Sequence, residues 1–201
     1  MALKFAVNNS LSAVTSLPTA IPTGSMTLLQ TQTASSSSTI DFTSNIDSTY
    51  DSYELHFFDV HPQSGSRLAF QGTTDGSNFN VTMTTTSFVA RHTEDNSTAD
   101  FGYNTGDDQA QGTSYQRLSC GGTVETDNDA SATGIIKLYN PSSTTFVKHF
   151  LATMQIYNND QASHNSYVAG YFNTTSAITG LSFKYESGNI DNGVFKLYGI
   201  S

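Results

Sequence analysis

Apolar and polar side chains alternate with a period of two along most of this chain, which is the pattern of half-buried β-strands. Near the C-terminus, residues 181–185 and 194–200 both alternate in this way. The segments 187–189 and 191–193, rich in Gly, Asn, Ser and Asp, supply turn formers between them. We therefore predict a β-hairpin over residues 181–200 that closes a sheet with the last residues of the chain.

Strand-like segments recur every 8 to 12 residues or so, the spacing of β-sandwiches. Before the hairpin they cover residues 26–33, 39–43, 53–60, 67–71, 79–83, 88–89, 115–119, 134–139, 145–157 and 167–172. Residues 92–112 predict a long acidic loop between two of them. No segment has a convincing period of 3.6 residues. The expected fold is all-β, a single β-sandwich with a jelly-roll-like topology.

Residues 1–25 differ from the rest of the chain. Pro18 and Pro22 favour extended backbone and exclude a central strand. We predict an extended N-terminal arm over residues 1–25, followed by the sandwich domain over residues 26–201. The apolar residues of the arm predict a partner-binding segment, with a frayed tail as the alternative. These residues are Phe5, Leu11, Val14, Leu17 and Ile21.

Composition narrows the function classes. Hydrophobic residues make up only 36% of the chain, but 13 Phe and 10 Tyr can supply much of the buried area. The net charge of −9 and the scattered Lys and Arg residues argue against nucleic-acid binding. No apolar run approaches the roughly 20 residues of a membrane span, and no secretory signature is present, so we expect a soluble protein without membrane insertion.

Motifs for catalysis or cofactor binding are missing from the sequence, so we expect neither an enzyme nor a cofactor. Cys120, the only cysteine, predicts an inert, partly buried thiol. On an unbroken strand His56 and His61 point to opposite faces, which excludes a shared metal. The acidic runs 106–108 and 127–129 are candidates for Ca²⁺ binding, with solvated turns as the alternative. His164 is expected to face solvent.

Several blocks together resemble structural proteins of marine tailed bacteriophages, especially cyanophages. The blocks are ASSSSTIDFTSNIDSTY (34–50), YNPSSTTFVKHF (139–150), AGYFNTTSAI (169–178), and SGNID (187–191) followed by KLYGI (196–200). Their order matches, and the similarity spans about residues 26–200. The resemblance implies a virion structural protein, decoration-like or tail-fibre-like, with no catalytic residues to carry over.

The expected function is that of a non-enzymatic virion protein on the particle exterior, made in the bacterial host cytoplasm. A capsid decoration (knob or cement) protein anchored by its arm is favoured, because the chain has no long shaft or coiled coil of the kind that a fibre carries. Expected partners are major capsid or tail proteins, and further copies of the chain, with a trimer compatible with either location.

The alternative is a tail fibre or receptor-binding adhesin that recognises a glycan on the host surface. Exposed aromatic rings can stack on sugar rings, although core packing competes for the same tyrosines and the chain has no Trp. The candidate tyrosines are Tyr103, Tyr115, Tyr157, Tyr167 and Tyr171.

Overall fold

The computed structural model describes residues 26–201, and the arm predicted over residues 1–25 lies outside this range. Twelve strands form the described part of the chain, and it contains no helix. They are β1 (Met26–Ser37), β2 (Ile40–Phe42), β3 (Ser52–Pro62), β4 (Leu68–Thr73), β5 (Met83–Thr93), β6 (Ala99–Tyr103), β7 (Gln116–Arg117), β8 (Ala132–Tyr139), β9 (Lys148–Asn158), β10 (Ala162–Phe172), β11 (Gly180–Tyr185) and β12 (Ile190–Ile200).

The strands form two antiparallel sheets. The large sheet has the order β1-β12-β3-β8-β9-β10-β5-β6, and the small sheet has the order β2-β11-β4-β7. Large side chains from both inner faces meet in one buried cluster, so the sheets form a sandwich. The prediction of an all-β sandwich is confirmed.

Eight of the strands have the order of a jelly roll. The C-terminal strand β12 lies between β1 and β3 in one sheet, and β11 lies between β2 and β4 in the other. Strands β8 and β7 complete the two four-stranded halves. The remaining strands, β9, β10, β5 and β6, extend the large sheet beyond the small one. We call these four strands the extension.

The predicted C-terminal hairpin is wrong, although both of its strands exist. Strand β11 belongs to the small sheet and β12 to the large sheet, so the two do not pair. The turn between them carries the chain across the sandwich, with Gly188 in the left-handed region (φ 73°). A turn-rich sequence suits either kind of connection. The alternation predicted over residues 194–200 is confirmed, because Phe195 and Leu197 are fully buried on one side of β12.

Three further boundaries differ from the prediction. Residues 79–82 precede β5 instead of forming a strand, and β5 continues to Thr93. The segment predicted as one loop over residues 92–112 contains the edge strand β6. Strand β9 begins at Lys148, so Phe146 lies in the preceding loop and is 68% exposed.

Phenylalanine rings form the centre of the core between the jelly-roll sheets. The ring of Phe183 lies 5.5 Å from Phe195 and 6.2 Å from Phe70, between ring centroids. Phe70 in turn meets Phe150 edge-on at 5.1 Å. Phe42, Phe57 and Phe172 join the same contacts. Edge-on and offset contacts of this kind add to the free energy gained from burial alone.

The inner sides of β5 and of part of β10 are polar where they pack on the segment 104–122, which includes β7, whereas Phe150 of β9 and Phe172 of β10 pack in the apolar core. Thr85 donates to Gln116 at 2.7 Å, and Ser87 donates to the carbonyl oxygen of Asn104 at 2.8 Å. The backbone N–H of Cys120 donates to Ser166 at 2.9 Å. Hydroxyl and amide side chains fit here because hydrogen bonds of this kind offset the cost of burying polar groups.

His164 lies in this polar interior, so the prediction that it faces solvent is wrong. Its residue is 1% exposed, and its Nδ1 atom lies 3.1 Å from the side-chain nitrogen of Asn158. Burial, which disfavours the imidazolium form, lowers the pKa of His164 from its ordinary value. The sequence prediction placed His164 in a loop. In the structure it lies near the start of β10, on the inner face of the sheet.

Candidate functional site

The outer face of the large sheet carries almost all of the exposed large apolar side chains among the described residues. Outward positions alternate with the buried ones along each strand, so these residues share one face or its edges. They are Met26, Leu28, Phe58, Phe101, Tyr103, Tyr139, Leu151 and Tyr167. Phe146, in the loop before β9, is the exception. This concentration of exposed apolar side chains on one face makes that face the first candidate for a binding surface.

Four of the aromatic residues on this face form a cluster near the β6 edge, which we call the aromatic patch: Phe88, Phe101, Tyr103 and Tyr167. Phe88 is the cross-strand partner of both Tyr103 and Tyr167. The Phe88 and Tyr167 rings stack at 4.8 Å with an interplanar angle of 13°, and Phe101 meets Phe88 edge-on at 5.4 Å. Phe101 is 70% exposed.

A groove of about 530 Å³ crosses the same face beside the patch, where β3, β8, β9, β10 and β5 contribute side chains. A second groove of about 270 Å³ shares Thr133 and Gln155 with it, so the two grooves adjoin. We call the two grooves together the outer trough. Its lining includes Asp59, Glu94, Asp129 and Tyr157.

A β-bulge in β3 shapes one end of the trough. The register with β8 shifts between Phe57 and Val60, and Asp59 adopts a left-handed backbone conformation (φ 49°). The extra residue returns Val60 to the core and leaves Asp59 exposed at the trough. Thr133 of β8 donates a 2.9 Å hydrogen bond to the carbonyl oxygen of Phe57, which supports the bulged strand.

The same bulge overturns the predicted arrangement of His56 and His61, because the extra residue brings both to the outward side of β3. They nevertheless do not converge. His56 lies 2.9 Å from the carboxylate of Glu54, whereas His61 lies 3.8 Å from that of Asp191. Within residues 26–201, no group of three or more His, Cys, Asp and Glu side chains is arranged to hold a metal ion.

Hydrogen bonds fix the floor of the trough. The side-chain nitrogen of Gln155 donates to Ser163 at 3.0 Å and to the carbonyl oxygen of Ile156 at 3.1 Å. Its side-chain oxygen accepts a 3.1 Å hydrogen bond from Asn165. Gln155 is thereby held in one orientation between β8 and β10.

Negative charge surrounds the tyrosine of the trough. Burial and the nearby carboxylates, among them Glu94 and Asp129, raise the pKa of Tyr157 above its ordinary value. Asp59, Glu94 and Asp129 make no ion pair with a described basic residue, and the described residues that line the trough include neither Lys nor Arg. The trough is therefore rich in hydrogen-bond acceptors and electronegative.

The five tyrosines predicted as sugar-stacking candidates have different surroundings. Tyr103 and Tyr167 belong to the aromatic patch, and Tyr157 lines the outer trough. Tyr171 lies at the other end of the face, 6.1 Å from His149. Tyr115 is covered, because the Lys184 ammonium lies 4.3 Å above its ring and its hydroxyl donates to Ser182.

Among residues 26–201, neither acidic run belongs to a group of three or more His, Cys, Asp and Glu side chains that could hold a metal ion. In the run 106–108, the carboxylate of Asp107 accepts hydrogen bonds from Arg67 at 2.6 Å and from Arg117 at 2.7 Å. These two guanidinium groups balance its negative charge. In the run 127–129, the carbonyl oxygen of Asp127 lies 3.3 Å from His61. Asp129 lines the outer trough.

The predicted partner-binding residues Phe5, Leu11, Val14, Leu17 and Ile21 lie outside the described residues. The described residues start at Met26, which is the first residue of the edge strand β1. Strand β1 contains no charged residue. Within residues 26–201 no helix is long and apolar enough to cross a membrane. No protein-family model, curated protein or solved structure matches the chain.

Sequence reasoning missed Asp59, Glu94 and Gln155 of the trough, and it considered Asp129 only as a calcium ligand. Asp59, Glu94, Asp129 and Gln155 come from separate strands and loops, and no spacing along the chain connects them. Alternation along β9 does indicate that Gln155 and Tyr157 share the outward face. That signal identifies one wall of the trough and not the trough itself.

Proposed function

We propose that this chain is a non-enzymatic structural protein on the exterior of a bacteriophage particle, and in the first place a capsid decoration protein. The resemblance of four sequence blocks to marine-phage structural proteins supports a location on a bacteriophage particle. Since a decoration protein acts by contact, its chemistry lies in its surface and not in a reactive group.

The observation that carries this proposal is the division between reactive side chains and apolar surface. Cys120 is buried, and the ammonium group of buried Lys148 donates to the carbonyl oxygens of Phe146 and Thr174. Most of the exposed large apolar side chains instead lie on the outer face of the large sheet. Such a division suits a protein that docks against neighbours.

The anchor in this proposal is residues 1–25. Five apolar side chains there can each contribute about 1.5–3 kcal/mol if fully buried against a capsid or tail subunit. Quantitative mass spectrometry of purified particles tests the location. Hundreds of copies per particle support decoration, whereas a handful of copies would place the chain on the tail.

Deletion of residues 1–25 tests the anchor. We expect the truncated chain to lose attachment to particles that lack the wild-type protein, while its circular dichroism spectrum keeps the strand signature. A second variant replaces Leu17 and Ile21 by Asp in the full chain, and this variant should also lose attachment. Attachment that survives both changes would refute the arm as anchor.

A receptor-binding adhesin is the second candidate, and the outer trough with its neighbouring aromatic patch favours it. Aromatic rings beside fixed amides and carboxylates are the usual composition of ligand sites. Purified protein added to host cells should then compete with particles for adsorption. Competition together with a low copy number per particle would favour the adhesin over decoration.

A further inference from the structure

Hydrogen-bond acceptors dominate the outer trough. The carboxylates of Asp59, Glu94 and Asp129 line it, and the fixed amide of Gln155 lies between them. A ligand that matches this lining must present many donors and no negative charge. Hydroxyl groups of saccharides meet both conditions, and hydrogen bonds from a hydroxyl to a carboxylate are stronger than neutral ones.

Tyr157 provides an aromatic surface at the same place. It lies on the outward side of β9 opposite Ser163 of β10, and both residues line the trough. The ring is half-buried, and the carboxylates of Glu94 and Asp129 are nearby. An aromatic surface beside hydroxyl acceptors binds a molecule that has both an apolar side and polar edges, as a pyranose ring does.

The size of the trough excludes a single small group. Side chains of β3, β8, β9, β10 and β5 line it. Four intervals of about 4.8 Å between neighbouring strands give a length of about 19 Å. The first groove, of about 530 Å³, is in the range of ligand sites, and the second, of about 270 Å³, adjoins it at Thr133 and Gln155.

We infer that the outer trough binds a neutral oligosaccharide of several sugar rings, with Tyr157 as the stacking surface and with Gln155, Glu94 and Asp129 as hydrogen-bonding groups. Its negative charge rejects sulfated and uronic-acid glycans, as well as nucleic acids. If the chain is the adhesin proposed as the second candidate, this saccharide is the class of its receptor. Binding to saccharide and attachment to particles are measured separately, so one can fail without the other.

The test uses the full chain on an array of neutral, sulfated and uronic-acid oligosaccharides, followed by calorimetric titration of the best-bound neutral tetrasaccharide. We expect dissociation constants of about 10 µM to 1 mM for neutral ligands. Tyr157→Ala should weaken binding about tenfold, and Gln155→Ala by a similar factor. Tyr139→Ala is the matched control, because Tyr139 is an outward tyrosine at the other end of β8. This variant should bind the saccharide as the wild type does.

Salt separates a saccharide from a cationic peptide, the other ligand class that an acidic trough can accept. Affinity for a neutral saccharide should stay constant between about 50 and 500 mM NaCl, whereas affinity for hexalysine would fall steeply. Binding of hexalysine without any saccharide would overturn the inference. So would the absence of saccharide binding up to about 10 mM, or an affinity unchanged in folded Tyr157→Ala.

Discussion

Arg117 donates a 2.7 Å hydrogen bond to the carboxylate of Asp107, whose side chain is only 1% exposed. Arg67 donates to the same oxygen at 2.6 Å, and the backbone N–H of Gly121 donates to the other oxygen. Arg117 also reaches Glu186 at 2.7 Å. Because these contacts join the small sheet to the segment 104–122, they hold that segment over the polar interior of the extension.

Replacing Asp107 by Asn should therefore destabilise the fold strongly. The two guanidinium groups would lose the charge that compensates them, and breaking a buried pair from one side costs about 3–5 kcal/mol. Since both arginines are partly exposed, we expect a loss near the lower end, about 3 kcal/mol, in urea unfolding. Asp108→Asn is the matched control and should change stability by less than about 0.5 kcal/mol. Similar stabilities for the two variants would contradict the role assigned to Asp107.

Phe183→Ala should remove the centre of the aromatic core. Phe183 contacts rings from both sheets, and large-to-small substitutions of a buried Phe cost about 3–5 kcal/mol. Phe146→Ala, at an exposed position, should cost less than about 0.5 kcal/mol. Thermal and urea unfolding measure both variants. A small effect of Phe183→Ala would mean that the core around this ring is loosely packed.

Stability should fall as the pH drops below about 6.5, and His164 should account for part of the change. Burial lowers the pKa of folded His164, so below its ordinary value of 6.5 the unfolded chain binds a proton that the folded chain does not. The stabilisation is complete above that value and is lost as the pH falls towards the lower pKa of the folded state. His164→Gln should remove up to about 1.4 kcal/mol per pH unit from the slope between pH 6 and 5. An unchanged slope in the variant would exclude His164 as the source.

The Cys120 thiol should be unreactive in the native protein. Burial raises the pKa of Cys120 to about 12, so almost none of it is thiolate near neutral pH. A disulfide reagent such as dithionitrobenzoate should react only at the rate at which the chain unfolds, and fully in about 6 M guanidinium. Rapid labelling under native conditions would show that the segment around Cys120 opens without global unfolding.

Much of the fold could be predicted because burial follows the period-two pattern. Strands such as β3 and β9 have one apolar and one polar side, and their predicted bounds lie within three residues of the observed ones. Strand β6 was missed because it is only five residues long and lies within an acidic, turn-rich segment. The partners of β11 and β12 were also wrong, because a turn sequence does not encode which sheet follows it.

The candidate site was less predictable than the fold. Tyr157 could be singled out as an aromatic residue on a strand, but its neighbours at the trough come from positions far apart in the chain. Asp59 lies in the trough through a bulge whose positive φ falls on a non-glycine residue, which no sequence pattern marks. Only the completed register of five strands brings these groups together.

The place of β12 between β1 and β3 has a consequence for biosynthesis. Both neighbours must wait for their common partner, which is translated last. Ribosomes add about 5–20 residues per second, so the N-terminal strands spend roughly 10 to 30 seconds with open backbone groups before Ile200 is made. We expect the jelly-roll half of the large sheet to form only after β12 has left the ribosome, and chaperones that shield β-edges to raise the yield of folded protein.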